Sequence, residues 1–253
     1  MWNSRRICRA SKGSSIISKN NFQIVVPFYN DTDNFKQFVE LIEHSHVPKD
    51  TFLLLDNGSE NKFMEEYYSK KNISSEKWKV IRSQNNLGYG GGIIFASKYT
   101  EKDFIAWMPG NMKINPIDAY DFVTNLTLDK KDIYIKARRT NRPFFDSLKT
   151  KIFGMAASMY FNTYIYDAGG TPNVVHKDFF KLSKCMPNDF SFDVFVYYFF
   201  KVNNLEIKRP KIKYTTRLYG NSHWQKGLIS ELKLFFSILS YKKEWEIASK
   251  KKF

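Results

Sequence analysis

FQIVVPFYN (residues 22–30), FLLLDNGSEN (52–61), NNLGYGGG (85–92) and DFIAWMPGNMKINP (103–116) follow one another within the first half of the chain. Phe22–Phe28 is a continuous apolar run that ends at Pro27-Phe28-Tyr29-Asn30, which reads as a strand buried on both faces. Thr51–Leu55 is a second such run, closed by Asp56-Asn57-Gly58-Ser59, a turn composition. Gly88 to Gly92 make a glycine-rich turn, and Phe104–Met108 is another buried run that stops at Pro109-Gly110-Asn111. Between the runs, Asp31–His44 places Phe35, Phe38, Val39 and Ile42 on one helical face, with Asp31 or Thr32 as N-cap.

The alternation continues along the chain. Lys62–Lys71 reads as a polar helix, Lys79–Arg82 as a third strand, and a helix starts over Gly92–Tyr99. Pro116–Leu126 is a further helix and Ile133–Ala137 a strand, followed by a basic loop from Arg138 to Pro143. Strands and helices that alternate every ~25 residues predict an α/β layer with a largely parallel sheet. Beyond it, Asp146–Tyr166 is helical in pattern, Phe192–Val202 is a very aromatic helix, and Glu206–Tyr214 alternates as a strand. Leu228, Leu232, Phe235 and Leu239 form one apolar stripe flanked by lysines.

The chain has 253 residues and a formal charge of +15. Residues 1–21 carry five Lys/Arg and no acid, and residues 226–253 carry seven against three acids, so the two ends hold +9 of that charge. The expected organisation is a basic disordered tail (1–21), one domain (22–225) and a basic amphipathic C-terminal helix (226–253). No run of eighteen apolar residues predicts a membrane span, and residues 1–21 lack the apolar core of a secretion signal. Two cysteines, Cys8 and Cys185, predict neither a disulfide framework nor a cysteine metal site and suit a reducing compartment. A basic chain invites a nucleic-acid reading, but no basic-aromatic motif of the RNA-binding kind is present. The expectation is no nucleic-acid partner.

The ordered signals resemble the nucleotide-sugar half of a family 2 glycosyltransferase with the GT-A fold. The second half extends the resemblance. Asp167 to Lys177 is similar to the Asp-led segment before the acceptor site of polyprenyl-phosphate mannose synthases and bacterial surface-glycan transferases. Asn188-Asp189-Phe190-Ser191-Phe192-Asp193 resembles the stretch where inverting members hold an acid near the acceptor. Arg217 to Ser222 matches their Arg-x-x-Gly-x-Ser, a loop that closes over donor phosphates. The resemblance implies a GT-A single domain, with a central mostly parallel mixed sheet flanked by helices. It implies inverting transfer from a nucleotide-diphosphate sugar to a lipid-linked (polyprenyl phosphate) or surface-glycan acceptor. Donor contacts fall on Pro27, Tyr29, Asn30, Asp56, Asn57, Gly88, Gly90, Asn111, Arg138, Arg217 and Ser222, and acceptor-side groups on Asp167, His176 and Lys177. Asp193 is the implied general base, with Asp189 as the second candidate; Asp189 also suits a helix cap.

One slot departs from the family. Where an Asp-x-Asp holds a metal on the sugar diphosphate, this chain has Pro109-Gly110-Asn111. Mg²⁺ and Mn²⁺ take hard anionic oxygen ligands, which this slot does not supply. No cofactor is expected: metal use is disfavoured, and Lys113, with Arg138, Arg139, Arg142 and Arg217, is expected to stabilise the leaving diphosphate instead. The alternative is a catalytically inactive sugar-nucleotide-binding or scaffold protein of the same fold. Met155–Tyr166 is expected to pack on the sheet. The lysine-flanked C-terminal stripe suits an anionic membrane surface, so the expected location is the cytoplasm, with peripheral attachment to the membrane face.

Overall fold

The computed structural model describes residues 21–70, 76–140, 154–165, 167, 169–213 and 236–251. Arg142, Arg217, Ser222 and His223 lie outside them, as do the 1–20 tail and the stripe residues Leu228, Leu232 and Phe235. From the N-terminal side the order is β1 (Phe22–Phe28), α1 (Thr32–Glu43), β2 (Phe52–Asp56), α2 (Phe63–Lys70), β3 (Trp78–Arg82), α3 (Gly88–Ala96), β4 (Phe104–Trp107), α4 (Pro116–Thr124), β5 (Ile133–Lys136) and β6 (Arg138–Thr140). Residues 154–161 are helical (α5). Then come β7 (Asn173–His176), a 3-10 segment (Lys177–Cys185), α6 (Ser191–Val202), β8 (Glu206–Lys208) and β9 (Lys211–Lys213). Residues 236–240 form α7, and Lys242–Ala248 form α8.

Seven strands make one sheet in the order β3-β2-β1-β4-β7-β5-β8. All pairings are parallel except those of β7, which runs against both β4 and β5. Side chains alternate across the sheet. Val25, Leu53, Leu55, Ile105 and Trp107 face one core, while Ile24, Val26, Phe28, Phe52, Leu54 and Ala106 face another. Both faces are covered, which is why the strands read as continuous apolar runs. α1 lies on the second face, where the Phe28 ring meets Phe35 and Phe38 edge-on. α6 belongs to the first face and buries residues all around its circumference, including Phe192, Phe195, Phe199 and Phe200. Each fully buried Phe contributes roughly 1.5–3 kcal/mol of burial.

Four sequence expectations need correction. α3 begins at Gly88, not Gly92, so most of the glycines lie inside the helix rather than in a turn before it. The basic stretch after β5 is partly a strand, because Arg138–Thr140 pairs in parallel with Lys211–Lys213. Glu206–Tyr214 is not one strand. β8 ends before Arg209-Pro210 and β9 joins a separate two-stranded sheet, because proline withholds a ladder donor. The described C-terminal segment is two helices, and Trp245 of α8 sits in the core stacked on Phe161. No described helix is long and apolar enough to cross a membrane.

Candidate active site

β1, β2 and β3 lie successively outward on one side, whereas β4 adds to the other side of β1. That reversal opens a crevice at the carboxyl ends of β1 and β4, the place where open α/β sheets bind ligands. Backbone bonds close the floor of this crevice beyond the strands: Gly110 N–H donates to Pro27 O at 3.3 Å, and Asn57 N–H to Phe28 O at 2.9 Å. β5 and β8 run parallel to β4, and β7 enters from the same end. The residues after β1, β2, β3, β4, β5 and β8, and those before β7, therefore converge there.

Pro27 and Tyr29 stand at the lip, and Tyr29 is 39% exposed. Asn30 adopts φ 48° and clasps the neighbouring loop: its N–H donates to Ser59 Oγ, and its Oδ1 accepts from Glu60 N–H at 3.0 Å. Asp56 is fully buried. Its Oδ1 accepts from Ser59 N–H at 2.9 Å, and its Oδ2 pairs with Arg82. As the structure stands, Asp56 offers no open oxygen to a ribose; Arg82, partly exposed, is the group that faces outward. Asn57 is likewise turned inward, donating from Nδ2 to Gly88 O at 2.9 Å and accepting from Leu87 N–H at 3.3 Å. Gly88 and Gly90 make room for protein, not for a diphosphate. A Cβ on Gly88 would lie 2.5 Å from Asn188 O, and one on Gly90 2.3 Å from Pro187 O.

The residues after β4 do not fit a divalent cation. Pro109 and Gly110 carry no ligating atom, and a Cβ at Gly110 would strike the Phe28 ring at 2.4 Å. Asn111 spends its Oδ1 on Lys113 N–H at 3.2 Å, around Met112 at φ 54°. Among the described residues no group of three or more His, Cys, Asp or Glu is placed to hold a metal.

Asp193 lies beneath the crevice, only 6% exposed. Its Oδ1 accepts from Trp107 Nε1 at 2.9 Å and from Asn173 Nδ2 at 3.4 Å, and its Oδ2 from Tyr89 Oη at 3.4 Å. Burial pushes its carboxyl upward, opposed by Lys136 and by the Trp107 and Tyr89 donors. Asp189 is committed to the start of α6, accepting from Ser191 N–H at 2.8 Å and from Ser237 Oγ. Asp167, at φ 47°, gathers two cations: Arg139 Nε donates at 3.1 Å and Arg209 Nη2 at 3.2 Å. Arg138, by contrast, is exposed on β6.

His176 and Lys177 are displaced from this assembly. β7 is antiparallel to β4, so Asn173 meets Trp107 at the crevice end while His176 meets Phe104 at the other. Three strand residues separate the two ends by about 10 Å. Burial lowers the His176 pKa, and its Nδ1 accepts from Asp178 N–H at 3.2 Å; Lys177 pairs with Asp103. These two residues cap and brace the far end of the sheet.

The family model for glycosyl transferase family 2 matches residues 23–191. The chain belongs to that family. The family 2 glycosyltransferase also has structural neighbours of the same GT-A architecture, which at their low identity speak to the fold alone. Mannosyl-3-phosphoglycerate synthase from Rubrobacter xylanophilus is 13% identical with a TM-score of 0.64, over 92% of this chain and 76% of that one. Glucosyl-3-phosphoglycerate synthase from Mycobacterium tuberculosis, in complex with Mn²⁺, UDP-glucose and phosphoglyceric acid, is 13% identical with a TM-score of 0.62. The overlap is 88% of this chain and 79% of that one. No curated protein matches the chain in sequence.

Five residues of this glycosyltransferase's crevice went unnoticed in sequence: Arg82, Trp107, Lys136, Asn173 and Arg209. Lys136 left a signal, since a lysine closing the apolar run Ile133-Tyr134-Ile135 is costly to bury without a partner. Of the other four, Arg82 and Trp107 end strands, Arg209 follows one and Asn173 begins one, and none carries a local mark.

Proposed function

We propose that this glycosyltransferase moves a sugar, with inversion, from a nucleoside-diphosphate sugar to an anionic or hydroxyl acceptor of the polyprenyl-phosphate or surface-glycan type, without a metal held after β4. The observation that carries the reading is the convergence of Asp193, Arg139 and Arg209 on the carboxyl-end crevice, next to a slot with no metal-ligand set. An acceptor hydroxyl attacks the anomeric carbon as the bond to the diphosphate oxygen breaks. Asp193 takes the hydroxyl proton, and the diphosphate leaves with the bonding electrons. Arg139, Arg209 and Lys113 supply the positive field that the leaving group requires. A phosphate acceptor would arrive as an anion and need no base. The mycobacterial neighbour is in complex with phosphoglyceric acid, an anion that also carries a hydroxyl, which supports a charged acceptor whose attacking group is a hydroxyl.

Peripheral attachment to an anionic membrane at the cytoplasmic face belongs to the same proposal. Met155, Met159, Tyr164, Phe236 and Ile247 stand well exposed on residues 155–164 and 236–247. Those two segments touch, with Lys242 Nζ 4.6 Å from the Tyr160 ring centre. The apolar support thus includes α5, which by sequence was assigned wholly to packing; only its Ala157 and Phe161 side is buried.

The test is thermal shift with UDP-, GDP- and dTDP-sugars in EDTA and then in Mn²⁺, on the wild type and on Tyr29→Ala. A shift of several degrees in EDTA with one donor, reduced in the variant, is expected. A strict Mn²⁺ requirement for turnover would sink the metal-free part. Donor binding with no turnover on any acceptor would favour the inactive alternative, whose support is the absent Asp-x-Asp.

A further inference from the structure

Four buried polar side chains form a line under the crevice, one each from β5, β7, α6 and β4. Lys136 is 0% exposed, and its Nζ donates to Gly170 O at 2.9 Å and to Asn173 Oδ1 at 3.1 Å. Tyr134 Oη donates to the same Oδ1 at 2.6 Å. The other end of the Asn173 amide, Nδ2, faces Asp193 Oδ1, which Trp107 Nε1 also approaches. An ammonium only donates and a carboxylate only accepts, so the Asn173 amide has one orientation between them. Its dipole then points positive toward the carboxylate.

We propose that Lys136 is a positioning residue for the transfer reaction: acting through Asn173, it keeps Asp193 ionised and fixes the direction of its carboxylate. Burial penalises each charge when alone. It draws Lys136 down to about 8, against the charges of Asp193 and Asp167, and it pushes Asp193 up. Together each offsets part of the other's cost. With Oδ1 held by Trp107 and Asn173, the proton falls to Oδ2, whose contact with Tyr89 is long. The titratable and charged groups around Asp193 are Tyr89 from α3, Tyr134 and Lys136 from β5, and Arg139 from β6. Among the described residues, Asp167 before β7, Tyr197 from α6 and Arg209 after β8 act in turn on Tyr134, and Asp167 and Arg209 also on Lys136. Among the described residues, Lys136 acts on Asp193 more strongly than Arg139 does.

This inference rests on Asp193 as the base, and two readouts separate the two ideas. The first is the titration of the Asp193 carboxyl carbon by ¹³C NMR in the full chain, assigned by its loss in Asp193→Asn. The second is the acid limb of kcat/KM against pH. Lys136→Met is expected to move the carboxyl titration, and the acid limb with it, to higher pH by about one unit or more. Trp107→Phe, which removes one donor from the same oxygen, is expected to move both in the same direction by less. If Lys136→Met does not fold, as judged by circular dichroism, Asn173→Ser takes its place with the same expected shift. An unmoved Asp193 titration in the folded variant overturns the role of Lys136. A shifted titration with an unmoved acid limb, or a fully active Asp193→Asn, overturns the base reading and with it the catalytic meaning of the relay.

Discussion

Asp56 and Asp193 occupy crevice-end positions that look alike in sequence, each an acid beside an apolar run, yet their surroundings assign them different work. Asp56 is locked to Arg82 and to its own loop, with no exposure. Removing the cation from a buried pair leaves an uncompensated charge, typically a loss of 3–5 kcal/mol. Arg82 is partly exposed, so Arg82→Met is expected to cost about 3 kcal/mol in urea denaturation. Asp56→Asn in the same chain should recover most of it, because the stranded charge is then gone. Asp193 has an oxygen with only one long contact among the described residues. For Asp193→Asn the expected result is a fall in kcat of roughly 10²–10⁴-fold, the usual contribution of a general base, with donor affinity within a few-fold of wild type. A kcat close to wild type with a hydroxyl acceptor would remove Asp193 from the chemistry.

At the scale of elements, the junction between α3 and the segment before α6 decides whether the crevice keeps its shape. Gly91 N–H donates to Asn188 O at 2.9 Å, and a Cβ on Gly90 would lie 2.6 Å from Phe192 Cβ as well as against Pro187 O. Glycine inside a helix normally costs about 1 kcal/mol relative to alanine, so replacement would help if space were available. Here the atoms in the way are largely backbone, and overpacking of this kind costs roughly 1–3 kcal/mol. Gly90→Ala is therefore expected to lower the melting temperature despite its better helix propensity. Gly169→Ala is the control: its Cβ would meet the Arg139 guanidinium at an ordinary 3.5 Å, and a change within about 0.5 kcal/mol is expected. Equal melting of the wild type and Gly90→Ala would show that the junction yields.

For the whole molecule, the prediction concerns the surface that carries Met159 and Ile247. If α5, α7 and α8 meet an anionic bilayer, the protein should sediment with phosphatidylglycerol vesicles at low salt and much less with phosphatidylcholine vesicles. Met159→Ser with Ile247→Ser should weaken that binding several-fold and leave the melting temperature nearly unchanged, since both side chains are well exposed. Equal sedimentation with both lipids, or none with either, would remove the membrane from the proposal.

Sequence alone settled the alternation of strands and helices from Phe22 to Thr124, because each buried parallel strand must be apolar on both faces. It also showed the missing Asp-x-Asp, which is a matter of composition. It misplaced the start of α3, because glycines that read as a turn are tolerated in a helix when a neighbouring backbone needs the room. His176 was grouped with Asp167 by closeness along the chain, but β7 carries it to the far end of the sheet. The pairing of Asp56 with Arg82, the grip of Asp167 on Arg139 and Arg209, and the line from Lys136 through Asn173 to Asp193 join residues from different elements, with direct links spanning 20 to 42 positions. Such partners depend on strand order and on the direction of β7. Those are set by how the whole chain packs, so only the tertiary structure decided them.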